Sequence, residues 1–200
     1  MVRTLISTIY SGGAVLAAIN KLSPERLILL SANEKNKERS KEREASIANV
    51  KKNFSKIIQI EVVPTEVYDI PLIVKDCCKI IEKEDKAGNE VSLHISESRK
   101  TQALGLLFAG FIKKDKIKGA YYIEEESYKV RTMPLLNFKV SPTKKKILEL
   151  VDKGVVKVAD IISKTGKSKA MVYNHINELK RDGYLSEDMK LTDAGRILVV

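Results

Sequence analysis

The stretch HISESRKTQALGLL, residues 94–107, decides how the chain folds. An apolar run, Val91-Ser92-Leu93-His94-Ile95, stops in five polar or charged residues, Ser96-Glu97-Ser98-Arg99-Lys100. An apolar stretch from Ala103 to Ile112 follows, too long for another strand and long enough for a helix. Turns between a strand and a helix need polar residues in any case. In open α/β sheets they are also the places where phosphates bind, beyond the strand ends.

The same alternation continues on both sides. Leu5 to Tyr10 reads as a strand, Ser11-Gly12-Gly13 as a tight turn and Ala14 to Leu22 as a helix. Arg26 to Ala32 is a second strand. Glu34 to Glu44 alternates in charge sign and reads as a solvated loop and helix start rather than a binding arm. Ala45 to Phe54 continues helically, with Ile47, Val50 and Phe54 on one stripe. Ile57 to Val63 is a third strand closed by Pro64, and Pro71 to Lys86 is a helix with proline in its first turn. Val91 to Ile95 is the fourth strand, and Thr101 to Ile112 a helix apolar on nearly every side. Ala120 to Ile123 is the fifth strand and Pro134 to Val140 a sixth. Most strands are continuous apolar runs, which predicts a Rossmann-like α/β domain with a mainly parallel sheet covered on both faces, over residues 1–140.

The pattern changes at Ser141-Pro142, which caps and opens a helix whose buried face is Ile147, Leu148 and Val151. Lys157 to Lys164 is a second helix, and Ser168 caps a third that runs to Arg181. Tyr184-Leu185 and Lys190-Leu191-Thr192 read as two strands around a short tip, and a last helix starts at Asp193-Ala194-Gly195. Helix-turn-helix followed by a β-ribbon is a winged helix, over residues 141–200.

The formal net charge is +10 and the pI about 9.4, a balance that suits polyanion partners. Both parts of the chain are basic, so charge alone does not single out the smaller one. Cys77 and Cys78 are adjacent, which disfavours a structural bridge and suggests an intracellular, reducing compartment and a cytoplasmic protein. No signal peptide is expected, and no apolar run is long enough for a membrane span. With only His94 and His175, far apart, there is little material for a metal site or a His-based triad, and no cofactor is expected.

In a winged helix the third helix enters the major groove with its N-terminal half. Here that half presents Ser168, Lys169, Ala170, Tyr173 and Asn174. Lysine and small hydroxyls hold phosphates, asparagine reads adenine edges, and tyrosine can do either. Lys180 and Arg181 at the far end are candidates to clamp the backbone of double-stranded DNA. The tip Ser186-Glu187-Asp188-Met189 is acidic and short and is not expected to enter the minor groove. His175 is expected to be a partly exposed surface residue. Through SKAMVYNHINELKRDGYL and the closing LTDAG, this segment resembles the MarR-like winged-helix family.

Two junctions in the large domain are candidate anion sites. At TIYSGGAVLAAI, Gly12 and Gly13 allow close backbone approach before a helix N-terminus. The third glycine of a dinucleotide fingerprint is missing, so a tight turn without function stays open. At the opening stretch, Ser96, Ser98 and Thr101 offer hydroxyls, and Arg99 and Lys100 precede a helix N-terminus, which is unfavourable without a compensating anion. Glu97 or a bound phosphate would supply it.

These two junctions together with a C-terminal winged helix resemble the CRISPR-associated Rossmann-fold (CARF) proteins, in their archaeal transcription-regulator branch. Ser98-Arg99-Lys100-Thr101 matches the polar, basic part of that family's turn after the fourth strand, while Glu97 and Ser98 stand where it often has glycines. The resemblance implies a homodimer formed through the long apolar helices, Ala103 to Ile112 among them, with the loops of both subunits lining one two-fold cleft. It implies a cyclic oligoadenylate ligand, cyclic tetra-adenylate first, held by Thr8, Tyr10, Ser11, Gly12, Gly13, Ser96, Glu97, Ser98, Arg99, Lys100 and Thr101. Ring binding would alter DNA affinity and so regulate CRISPR-associated loci. An alternative is a ring nuclease with Lys100 stabilising developing charge, although neither motif holds a histidine or an obvious general base. A regulator sensing another nucleotide or anion is a third reading.

Overall fold

The computed structural model describes every residue except 34, 35, 137–139, 193, 196–198 and 200. It divides into two units, Met1–Leu135 and Leu136–Val200.

The first unit alternates strands and helices in the order β1 (Arg3–Thr8), α1 (Gly13–Leu22), β2 (Arg26–Ala32), α2 (Lys37–Phe54), β3 (Gln59–Thr65), α3 (Ile70–Lys86), β4 (Glu90–His94) and α4 (Lys100–Ile112). A short 3-10 turn leads to β5 (Gly119–Ile123) and β6 (Val130–Met133). The sheet order is β3-β2-β1-β4-β5-β6, parallel throughout except for the β5–β6 pair. The chain reverses its direction of winding between β1 and β4, and the crevice beyond those two strand ends is where open α/β sheets bind ligands.

Successive strand residues face opposite sides, and the core splits accordingly. Leu5, Leu27, Leu29 and Ile123 pack with Val15, Ala18, Ile19 and Val50 of α1 and α2. Ile6, Ile28, Leu30, Val91 and Leu93 pack with Ile73, Cys77 and Ile81 of α3 and with Leu106 and Ala109 of α4. Gly105 lets α4 lie directly on α3, because a Cβ there would come 2.5 Å from Ile73 Cγ2. One apolar stripe of α4 is not covered. Leu104, Phe108 and Ile112, four residues apart, are 43%, 42% and 62% exposed.

One expectation is sharpened and two change. The charge-alternating run after β2 is helical from Lys37, where Asn36 caps α2 by accepting from the Glu38 and Arg39 N–H groups. Pro64 lies inside β3 rather than closing it, and β3 is an edge strand, where a missing N–H costs no ladder bond. The sixth strand is Val130–Met133, ending before Pro134, and part of the expected span, 137–139, lies outside the described residues.

The second unit holds α5 (Pro142–Asp152), α6 (Val158–Thr165) and α7 (Lys169–Arg181) around a core of Ile147, Leu148, Ile161, Val172, Ile176, Leu179 and Tyr184. Ser141 and Ser168 cap α5 and α7, as their side chains accept from the Lys144 and Met171 N–H groups. The expected pair of wing strands is a single antiparallel bridge, Leu185 to Leu191. Backbone hydrogen bonds from Ser186 to Lys190 and from Thr192 to Tyr184 flank it. The expected last helix is described only at Ala194, Gly195 and Val199.

Candidate ligand cavity and nucleic-acid interface

The candidate residues of the large domain do not converge on one place. Tyr10, Ser98, Arg99, Lys100 and Thr101 line a cavity of about 420 Å³ together with Ala32, Arg39, Arg43 and Tyr68. Ser11, Gly13, Ser96 and Glu97 line a second, of about 430 Å³, with Tyr122, Glu125 and Tyr128. Thr8 is buried at the end of β1, its Oγ1 without a hydrogen-bond partner among the described residues, and Gly12 is buried.

The glycine loop after β1 is already filled. Glu97 is 8% exposed, and its carboxylate accepts from the N–H groups of Tyr10, Gly12 and Ala14, each at 2.8 Å, and from Ser11 Oγ at 3.2 Å. The side chain from the β4–α4 turn therefore occupies the anion position at the N-terminus of α1, which the sequence suggested for a phosphate. The same geometry corrects the other suggestion, that Glu97 balances Arg99 and Lys100. Its carboxylate oxygens are spent on the loop of α1.

The hydroxyls of the opening stretch are likewise committed. Ser96 Oγ accepts from the Ile123 N–H at 2.5 Å, tying the turn to the end of β5. Ser98 bonds Gln102, which in turn bonds Thr65, and Thr101 bonds the Val67 carbonyl. Ser98 does this in the left-handed region, at a φ of 78°. Three side chains offered as ligand donors thus fix the turn against β3 and β5. What they fix in place is a pair of cations. Arg99 lies 5.3 Å from the Tyr68 ring centroid, over its face.

Arg39, Arg43 and Tyr68 complete this cavity, and the sequence reading passed over all three. Arg43 is 6% exposed; among the described residues its Nε has no partner, and the one hydrogen bond of its guanidinium is to Ser40 Oγ at 3.5 Å. A buried guanidinium without a carboxylate is costly. Arg39, Arg43 and Lys100 take part in none of the ion pairs found among the described residues. The helix α4 that opens on this cavity has Arg99 at its N-cap, no side-chain cap and no acidic residue in its first turn. The available signal was the spacing: Arg39 and Arg43, four apart, share one helix face.

His94 is fully buried at the end of β4, with Nδ1 2.7 Å from Ser7 Oγ and Nε2 without a partner among the described residues. Burial holds its pKa down to about 4, against a smaller opposing pull from Glu97. It is neutral at ordinary pH and is not among the residues lining either cavity. Cys77 and Cys78 are free thiols, and burial pushes Cys77 up to about 12.

In the small unit, Ser168, Lys169, Ala170, Tyr173 and Asn174 are all exposed; Ser168 caps α7, and Ala170 and Asn174 lie on its side opposite Val172, Ile176 and Leu179. Lys169 Nζ lies 6.0 Å from the Tyr173 ring centroid. Lys164 and Lys167 are exposed just before them. At the far end, Lys180 Nζ donates to the Glu187 carbonyl at 2.8 Å and pairs with its carboxylate at 3.3 Å, so it ties the end of α7 to the wing tip. Arg181 is exposed, with Nε 3.5 Å from Asp182 Oδ1. His175 is half-buried and meets Glu178, which also pairs with Lys144 of α5 at 3.1 Å.

Comparison with known proteins bears on both units. No curated protein sequence matches the chain. Among solved structures, Enterococcus italicus Csm6 bound to cyclic hexa-2'-fluoro-hexa-dAMP has a TM-score of 0.58 at 14% identity, over 93% of this chain and 56% of that one. Can2 from Sulfobacillus thermosulfidooxidans in complex with cyclic tetra-adenylate has a TM-score of 0.50 at 12% identity, over 98% and 63%. Protein VC1899 from Vibrio cholerae has a TM-score of 0.52 at 8% identity, over 98% and 64%. At such identities the shared property is the fold, here CARF-like, and this chain spans only between 56% and 64% of the length of these three. Residues 141–187 match the helix-turn-helix model "HTH_5: Bacterial regulatory protein, arsR family", so the matching regulator family is arsR where the sequence suggested a MarR-like one. Residues 8–128, more than half of the chain, match the model described as "HFX_2341_N:-like, N-terminal", and the chain belongs to that family, with an arsR-type helix-turn-helix behind its sheet domain.

Proposed function

We propose that the protein is a dimeric, DNA-binding transcription regulator of CRISPR-associated loci, controlled by a cyclic oligoadenylate, most simply cyclic tetra-adenylate. The observation that carries this reading is the cavity at the sheet's switch point. It gathers Arg39, Arg43, Arg99 and Lys100 around an uncapped helix N-terminus, with the rings of Tyr10 and Tyr68 beside them. Phosphodiesters would neutralise the cations and the helix end, and tyrosine faces would stack on adenine. Two proteins of similar fold, Enterococcus italicus Csm6 and Sulfobacillus thermosulfidooxidans Can2, are bound to cyclic oligonucleotides of this kind in their structures.

The exposed stripe Leu104, Phe108 and Ile112 supports the dimer, because a second copy of α4 would cover it. A two-fold cleft would bring two sets of cations to one ring of matching symmetry. The helix-turn-helix supplies the response, through the lysine-rich start of α7. DNA affinity changes only insofar as the ring binds two dimer states differently.

Calorimetric titration with cyclic tetra-adenylate tests this. One ring per two chains, weakened in Arg99→Ala/Lys100→Ala, is the expected result. No heat at several temperatures, with the protein folded, would remove the ligand from the reading and leave the helix-turn-helix. Analysis of the ring after incubation separates sensing from cleavage, and promoter footprinting separates CRISPR-associated loci from other targets.

A further inference from the structure

We infer that the reading face of α7 is built to select A·T base pairs, with Asn174 and Asn177 as its specificity-determining residues. The inference rests on the DNA-binding reading and goes one step further, to the class of sequence read.

The core side of α7 is Val172, Ile176 and Leu179. Opposite it, at 3.6 residues per turn, lie Ala170, Tyr173, Asn174 and Asn177, within an arc of about 100°. All four are exposed, and none of their side chains has a hydrogen-bond partner among the described residues. The chemistry of this arc is uniform in one respect. It holds two primary amides, one methyl group and one phenol, and its one arginine, Arg181, comes only in the last turn, beyond the N-terminal half that meets the bases.

That composition carries the argument. Bidentate arginine or lysine to guanine O6 and N7 is the commonest specific contact in the major groove. The cations of this unit are placed elsewhere. Lys164, Lys167 and Lys169 cluster at the start of α7, where phosphates lie, and Lys169 sits over the edge of Tyr173. Lys180 is bound to the wing tip, and Arg181 is at the last turn beside Asp182. Cations therefore position the helix, and amides are left to read it. An asparagine amide donates to adenine N7 and accepts from its N6 amino group, and a methyl side chain such as Ala170 packs on a thymine methyl. Asn174 and Asn177 are one turn apart, about 4.5 Å along the axis, close to the spacing of neighbouring base pairs. The acidic tip Glu187-Asp188 faces no such task, so discrimination falls to α7 alone.

The test is selection of the full-length protein on a randomised duplex library, with and without cyclic tetra-adenylate, followed by sequencing of the retained DNA. Wild type is expected to enrich A·T pairs at neighbouring positions of each half-site, by about tenfold over G·C. Asn174→Arg is expected to convert one of those positions to G·C, and Asn177→Ala to relax its neighbour. Both positions are exposed, so thermal melts of the variants should match wild type. Retained duplexes with G·C at those positions, or a selected sequence unchanged in both variants, would overturn the inference and leave DNA binding intact. No retained duplex at low salt under either condition would overturn DNA binding itself, and this inference with it.

Discussion

After β1 the chain enters α1 through Gly12, at a φ of 86°; after β4 it enters α4 through Ser98, at 78°. The two loops lie side by side at the switch point, and each delivers a helix N-terminus to the same end of the sheet. Their electrostatic states are opposite. The N–H groups at the start of α1 close on the Glu97 carboxylate. The start of α4 has no cap, no acid in its first turn, and arginine and lysine on it. One turn does both things. Glu97 points back and satisfies the first helix, while Arg99 and Lys100 line the cavity. A helix end satisfied from within holds the fold together. The other carries Arg99 and Lys100 beside a buried Arg43 that has no carboxylate partner among the described residues.

The largest effect that would break this contrast is on ligand affinity. Arg99→Ala/Lys100→Ala removes two cations from the open end only. Each charge-assisted contact is worth about 1.5–3 kcal/mol, so affinity for the ring should fall by roughly 100-fold or more, while the melting temperature barely moves. Calorimetry and a thermal melt read both. A lost ring together with a lost fold would mean that the pair belongs to the structure, as Glu97 does.

Next in size is the pH response of His94, which holds the ends of β1 and β4 together through Ser7. Its folded pKa is depressed, to about 4 from 6.5, by burial. The unfolded chain therefore takes up the proton first. The stability contribution is complete above pH 6.5 and is lost as pH falls toward 4, by about 3 kcal/mol in all. Denaturant midpoints across that range should slope in wild type and flatten in His94→Gln. Equal slopes would show that other groups dominate acid unfolding.

How much of this could be read from the sequence depended on whether the signal was local. β2 stands where its apolar run predicts, and α1, α3, α4, α6 and α7 begin and end within a residue or two of expectation. Long periodic runs and capping residues such as Ser141 and Ser168 are local signals. Pro64 was misleading because whether a strand tolerates proline depends on its place in the sheet, which no neighbouring residue reveals. The basic turn at Arg99-Lys100 was legible, but its pairing with Arg39 and Arg43 was not. α2 is far away in sequence and reaches the cavity only through the crossover between β2 and β3. The role of Glu97 was hidden for the same reason. Whether it faces Arg99 or the loop of Gly12 is decided by the parallel pairing of β1 with β4.

Glu97→Gln sharpens the contrast from the closed side. The amide keeps one acceptor oxygen but sets an N–H₂ group against backbone donors at the start of α1. The expected loss is about 2 kcal/mol of stability, with a smaller change in ring affinity than the Arg99/Lys100 variant gives. Added sulfate should return part of that stability in Glu97→Ala, because an ion would fill the place of the carboxylate. A neutral result would mean that solvent serves these N–H groups as well as Glu97 does.

The smallest effects separate the two left-handed residues. Gly12→Ala places a Cβ in a region that glycine alone enters freely, and should cost about 1 kcal/mol although Ser46 Cβ, at 3.5 Å, leaves room for it. At Ser98 the strain is already present, held by the bond from its hydroxyl to Gln102. Ser98→Ala keeps the strain and loses the bond, for a cost of about 1 kcal/mol. Ser98→Gly loses the bond and relieves the strain, so its net change should lie within about 0.5 kcal/mol of zero. If Ser98→Gly stabilises by more than that, the hydroxyl contributes little to folding. The serine would then be kept at this strained position for its place on the cavity wall, which ring affinity in the same variant would show as a loss.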